Sequence, residues 1–269
     1  MKRKKRRPLS LPTRADLERR ARLVAYLDTL LEPEFALRCF DFNGAWNPGE
    51  RMFSMRSGEG DHAFAWFGAA GALLRGRHRE KAAVPEAKLF AGLPPAFRAV
   101  QREPAFRLGG DSFATWVSKG ESAWHSSTDP LRGGMGDLLG LLDGDPKRFA
   151  TYARDYHKVR IGPGSLERLY AGDPVTPQLI AGLSKAVDPA RALALAKELG
   201  MATRGTAKSR PAEEAGEPLG DAEFKVVRSG DTAMLVVGGK IQLKAARKGL
   251  YYEIIEQVRA ALRMEGAAK

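Results

Sequence analysis

Phe40-Asp41-Phe42-Asn43-Gly44-Ala45-Trp46-Asn47-Pro48-Gly49-Glu50-Arg51-Met52-Phe53-Ser54-Met55-Arg56-Ser57-Gly58-Glu59-Gly60-Asp61-His62-Ala63-Phe64-Ala65-Trp66 is the stretch that decides the fold class. Its large apolar residues recur at every second position, as Phe40/Phe42, Phe53/Met55 and Phe64/Trp66, which is the period of a strand and not of a helix. Turn formers separate the runs. Pro48 has a fixed φ and Gly49 tolerates a positive one, Gly58-Glu59-Gly60-Asp61 closes the second pair, and Gly68 to Gly71 the third. The pattern predicts a four-stranded antiparallel meander over 35–76. Phe113-Ala114-Thr115-Trp116-Val117 and Ala123-Trp124-His125 flank Lys119-Gly120-Glu121 and predict another hairpin, giving a sheet of about six strands.

Upstream, Thr13 caps a helix over 14–31. Leu17, Ala21, Val24, Leu27 and Leu31 line one face of it, and Arg14, Glu18, Arg22 and Asp28 the other. Downstream, 77–111 is a basic, proline-containing link in which Pro94-Pro95 opens a short helix carrying Phe97 and Val100, ended by Pro104. From 130 to 201 short helices follow, with Asp145-Pro146, Thr176-Pro177 and Asp188-Pro189 each setting a polar cap before a first-turn proline. Residues 203–222 hold one large apolar side chain, Leu219, and read as a flexible linker. The tail places Phe224–Val227, Ala233–Val237 and Ile241–Leu243 around a Gly238-Gly239 turn and ends in a helix over 249–263. The fold class is therefore α+β: an antiparallel meander of about six strands, an N-terminal amphipathic helix, a flank of short helices, and a small C-terminal β-hairpin/helix unit. The expected divisions are a disordered basic arm (1–12), an α+β main domain (13–202), the linker (203–222) and a ββα tail unit (223–269). Fewer than 50 residues bury a marginal core, so the tail is expected to dock on the main sheet or to self-associate.

Charge is unevenly placed. The 269 residues carry 44 Lys and Arg against 32 Asp and Glu, a net +12, and ten of the cations fall within residues 1–22 beside two acidic residues. The middle section is nearly neutral. Lys2, Arg3, Lys4, Lys5, Arg6 and Arg7 form a cluster suited to phosphate contact through counterion release. Arg outnumbers Lys 28 to 16, a composition expected of a GC-rich bacterial gene. No apolar run reaches the roughly 18 residues of a transmembrane helix. Cys39 is a single cysteine and has no disulfide partner. A cytoplasmic location is expected.

No catalytic set stands out. The four histidines, at 62, 78, 125 and 157, have no metal-helix or zinc-finger spacing. His125, Ser126 and Asp129 are adjacent in sequence but belong to no nucleophile elbow. Asp143-Gly144-Asp145 reads as a helix cap and not a calcium loop, and Gly133-Gly134-Met135-Gly136 meets neither phosphate-loop nor dinucleotide patterns. The reading assigns no catalytic residue, metal or cofactor.

Strand alternation sends Asp41, Asn43, Ser54 and Arg56 to the face opposite Phe40, Phe42, Phe53 and Met55. Asp41, Asn43 and Arg56, with Trp46 nearby and Trp124 at a strand end, are the candidate partner-binding residues. Trp66 is expected in the core, and Trp116 alternates outward. The function implied is a non-enzymatic cytoplasmic interaction module, comparable to immunity proteins or adaptors, that binds a protein partner sterically. The alternative is a nucleic-acid-associated protein using Lys2 to Arg7 as an electrostatic arm.

Overall fold

The side-chain oxygen of Thr13 accepts the backbone N–H of Asp16 and starts helix α1 (Arg14–Leu31). A computed structural model describes residues 11–35, 37–106 and 108–207, and the backbone of strands at 224–229, 232–237 and 240–246. The Lys2–Arg7 cluster, residues 208–222 of the expected linker and the expected helix over 249–263 lie outside the described residues. After α1 come β1 (Phe40–Asn47), β2 (Glu50–Arg56), β3 (His62–Gly68), β4 (Gly71–Arg77) and β5 (Phe113–Ser118). They form one antiparallel sheet in sequence order, β1-β2-β3-β4-β5. The turns are those the glycines mark: φ is 75° at Gly49, 72° at Gly58 and 142° at Gly71.

The sheet has five strands where six are predicted. Residues 123–125 contribute one isolated bridge, His125 to Trp116. Hydroxyls replace the ladder beyond it: Ser126 donates to the carbonyls of Ala114 and Thr128 at 2.6 and 2.7 Å, and Thr115 donates to that of His125 at 2.8 Å. Such side-chain bonds compete with strand pairing.

Both faces of the sheet are covered. On one, Phe40, Phe42, Phe53, Phe67, Leu74, Phe113 and Val117 pack with α1. Ala63, Ala65 and Ala72 at the centre of this face bring little bulk beneath the helix. The far side of α1 meets the helical flank: α4 (Met135–Leu138), α5 (Pro146–Asp155), α6 (Pro163–Ala171), α7 (Pro177–Leu183) and α8 (Pro189–Glu198). Being enclosed on both sides, α1 buries 23–28 without interruption, Asp28 included. The caps of α5, α7 and α8 are Asp145, Thr176 and Asp188, each accepting backbone N–H groups ahead of a first-turn proline.

The second face holds Met52, Phe64, Trp66, Leu73 and Trp116. It is roofed by Leu89, Phe90, Phe97, Val100 and Phe106 from the link between β4 and β5. That link contains α2 (Glu86–Leu89), a 3-10 turn at Pro95–Phe97, α3 (Arg98–Gln101) and a 3-10 turn at Pro104–Phe106. Trp116, expected outside, is 4% exposed. A sheet with apolar residues on both faces needs a second layer, and the roof supplies it. Trp66, expected inside, is buried.

The main body also extends past 202. Thr203 bridges Val175, Arg204 donates its N–H to the Val175 carbonyl at 2.9 Å, and Ala207 packs on the core. The strands β6 (Phe224–Ser229), β7 (Thr232–Val237) and β8 (Lys240–Ala246) pair antiparallel as a separate three-stranded sheet.

Candidate binding surface

The segment between α1 and β1 is shaped by one buried carboxylate. Asp28 is fully buried; its Oδ2 accepts the N–H groups of Cys39 and Phe40, both at 2.9 Å. Its Oδ1 takes the Tyr152 hydroxyl at 2.8 Å and meets His157 Nε2 at 2.6 Å. Ahead of this anchor Phe35 is exposed, and Leu37 and Arg38 are half-buried. Phe35 and Tyr156 are 51% and 47% exposed, large areas for aromatic side chains. The Arg38 guanidinium lies over the Phe35 ring at 5.1 Å and pairs with Asp41 at 2.7 Å. The Tyr156 hydroxyl donates to the Leu37 carbonyl at 3.0 Å, and its ring stacks on Tyr152 at 5.3 Å. Phe35, Arg38 and Asp41 are thus held on one short segment, which Tyr156 joins from the end of α5. Beside them runs β1, an edge strand exposed at Asn43, Gly44 and Ala45. Ladder register is lost between Asn43 and Asn47.

The sequence-predicted residues do not form one patch. Asp41 belongs to the cluster just described. Asn43 is exposed two residues along β1, with its Oδ1 accepting the Ala45 N–H at 2.9 Å. Trp46 is turned to the roof, stacked on Phe106 at 5.7 Å. Arg56 ends β2 beside the start of β1, its N–H on the Cys39 carbonyl at 2.8 Å and its guanidinium over the Phe64 ring of the roofed face. Trp124 packs on the main core and donates Nε1–H to the Pro12 carbonyl at 2.9 Å. Phe35, Arg38 and Tyr156 were not legible as site residues, because an isolated aromatic in sequence does not announce its exposure. Asp28, expected on the polar face of α1 with Arg14, Glu18 and Arg22, is instead buried, because α1 is enclosed on both sides.

Cys39, Asp28 and His157 bring thiol, carboxylate and imidazole into one cluster. Burial pushes the Cys39 thiol up, more than the Tyr156 and Tyr152 hydroxyls lower it, and the Asp28 charge raises it further. A reactive thiol needs the opposite environment, and His157 directs Nε2 to Asp28. The cluster therefore reads as a lock on the start of β1. Elsewhere, the Ser126 hydroxyl faces two carbonyls and no base, His125 pairs with Glu121 at 3.2 Å, and Asp129 accepts the N–H groups of Leu131 and Arg132. The described residues contain no group of three or more His, Cys, Asp or Glu placed to hold a metal ion. None of their helices is long and apolar enough to cross a membrane.

Compared with protein families, curated proteins and solved structures, the chain matches none. Its own geometry defines an α+β protein with a two-sided sheet and an exposed aromatic–arginine cluster beside an edge strand.

Proposed function

We propose that the protein is a non-enzymatic interaction module that binds a protein partner through Phe35, Arg38, Asp41 and Tyr156. The observation that carries this reading is the half-exposure of Phe35 and Tyr156 while both are held in place, one beneath Arg38 and the other by the Leu37 carbonyl. Preordered aromatic and arginine side chains dominate binding energy at interfaces, because little side-chain freedom is lost on docking. The mechanism is steric: the partner covers the rings, and the free edge of β1 beside them offers backbone groups for strand addition. The Lys2–Arg7 cluster supports a nucleic-acid reading on charge alone.

The test is affinity purification of the full chain, with and without nuclease, beside a Phe35→Ala/Tyr156→Ala variant matched for thermal melting. A protein partner that survives nuclease and is lost by the variant supports the reading. A partner that the variant retains removes this surface from consideration, and recovery of nucleic acid alone transfers the function to the basic cluster.

A further inference from the structure

The register of the sheet draws Arg56 of β2, His62 of β3 and Arg77 of β4 into one cross-strand row on the roofed face. Adjacent strands lie about 4.8 Å apart, so the two arginines flank His62 on either side. Other arginines nearby are neutralised. Arg75, on the same face of β4, donates Nε–H to Asp111 Oδ2 at 2.7 Å, adds a second guanidinium contact to that oxygen, and donates from Nη1 to the Gln101 carbonyl at 2.7 Å. Arg79, just beyond β4, pairs with Glu59 of the turn before β3.

The Arg56–His62–Arg77 row is different. Among the described residues, neither Arg56 nor Arg77 has a carboxylate within ion-pair distance. Arg77 donates to the Gly110 carbonyl at 2.7 Å. Arg56 has the Phe64 ring 5.8 Å from its guanidinium, and its Nε is buried without a partner. His62 is 6% exposed, and its Nε2 is buried with no hydrogen bond. Asp111 Oδ1 stands 3.7 Å from it, on a group already engaged by Arg75.

These three side chains line a cavity of about 460 Å3. Asp61 also lines it, but its carboxylate accepts the Arg79 N–H at 2.7 Å and the Ser57 hydroxyl at 3.4 Å. Gly110, at φ 53°, gives the wall a backbone that Arg77 can lie against, since a Cβ there would stand 3.1 Å from the guanidinium. Leu108, 45% exposed, adds apolar surface.

We propose that this cavity binds a small phosphate monoester, with its phosphate group on the Arg56–His62–Arg77 row. The two guanidinium charges exceed the single Asp61 carboxylate in the lining, which favours an anion, and a phosphate monoester carries about −1.5 to −2 at neutral pH. Its three terminal oxygens meet three donors, and planar guanidinium forks match that geometry. A carboxylate has two oxygens and leaves one of the three donors unmatched. The volume lies in the range of small-molecule sites, about 300–1,000 Å3, and Leu108 can face the organic part. No residue of the row belongs to the Phe35–Tyr156 surface, so this inference stands apart from the partner reading.

The test is calorimetric titration of the full chain with phenyl phosphate, inorganic phosphate and benzoate at constant ionic strength. Phenyl phosphate is expected to bind one to one, tighter than inorganic phosphate and at least tenfold tighter than benzoate. Arg56→Gln and Arg77→Gln should each weaken it at least tenfold, Arg56→Lys should weaken it less, and Arg148→Gln should leave it unchanged. Benzoate binding as tightly as phenyl phosphate overturns the assignment. So does binding that survives both glutamine variants, which would place the phosphate on Lys2–Arg7. Should a variant fail to fold, the unaltered chain decides: phosphate must raise its melting temperature over chloride of equal ionic strength, and no rise refutes the site.

Discussion

Asp28 receives two backbone N–H groups, a tyrosine hydroxyl and a histidine nitrogen on its two oxygens, and it has no contact with solvent. A buried carboxylate satisfied this fully is costly to remove, since each donor is left unpaired in a low-dielectric interior. Asp28→Ala is expected to lower unfolding free energy by about 3–5 kcal/mol. Asp28→Asn, which keeps one acceptor oxygen, should cost less; urea denaturation read by tryptophan fluorescence gives both values. Equal losses for the two variants would mean that packing, not hydrogen bonding, is what the residue supplies. Cys39 sits in the same cluster with its thiol pushed up by burial. It should react with a thiol reagent far more slowly in native protein than in denaturant, and equal rates would contradict the burial described here.

At the scale of elements, local chemistry and cross-strand geometry act separately. Thr13 and Asp188 cap α1 and α8 by accepting first-turn N–H groups. Thr13→Ala and Asp188→Ala should each cost about 1 kcal/mol, with the losses adding in the double variant if the sites are independent. Gly76 is a different case. Set in β4 opposite Ala63, it leaves no room for a side chain: a Cβ would stand 2.5 Å from the His62 carbonyl oxygen and 2.8 Å from the Phe113 ring. Gly76→Ala should cost about 1–3 kcal/mol through overpacking, seen as a lower urea midpoint at unchanged slope. The caps and the Asn47–Glu50 turn were legible in sequence because each is a contact among a few neighbouring residues. The sixth strand was misread for the same reason. Ala123-Trp124-His125 has strand composition, but Ser126 and Thr115 satisfy the backbone carbonyls that a ladder would use.

For the molecule as a whole, buried phenols set an alkaline limit. Burial pushes the hydroxyls of Tyr26, Tyr152 and Tyr170 above their ordinary value. Below about pH 10 both folded and unfolded chains hold these protons, and their contribution to stability is fully present. As pH rises further the unfolded chain ionises first, so stability is lost with increasing pH. A spectrophotometric titration should show these phenolates appearing together with the loss of near-UV circular dichroism, while gradual ionisation in a folded chain would contradict the burial.

The amino-acid sequence by itself determined the α+β class, the meander, the first helix and the proline-led caps, because alternation, glycine turns and capping side chains act over a few residues. The tertiary structure alone decided three things: that the second sheet face carries a roof, that Asp28 lies inside, and that Arg56, His62 and Arg77 stand in one row. Each depends on which distant residue lies opposite or above. That is set by strand register and layer packing, which bring together residues that no local pattern connects.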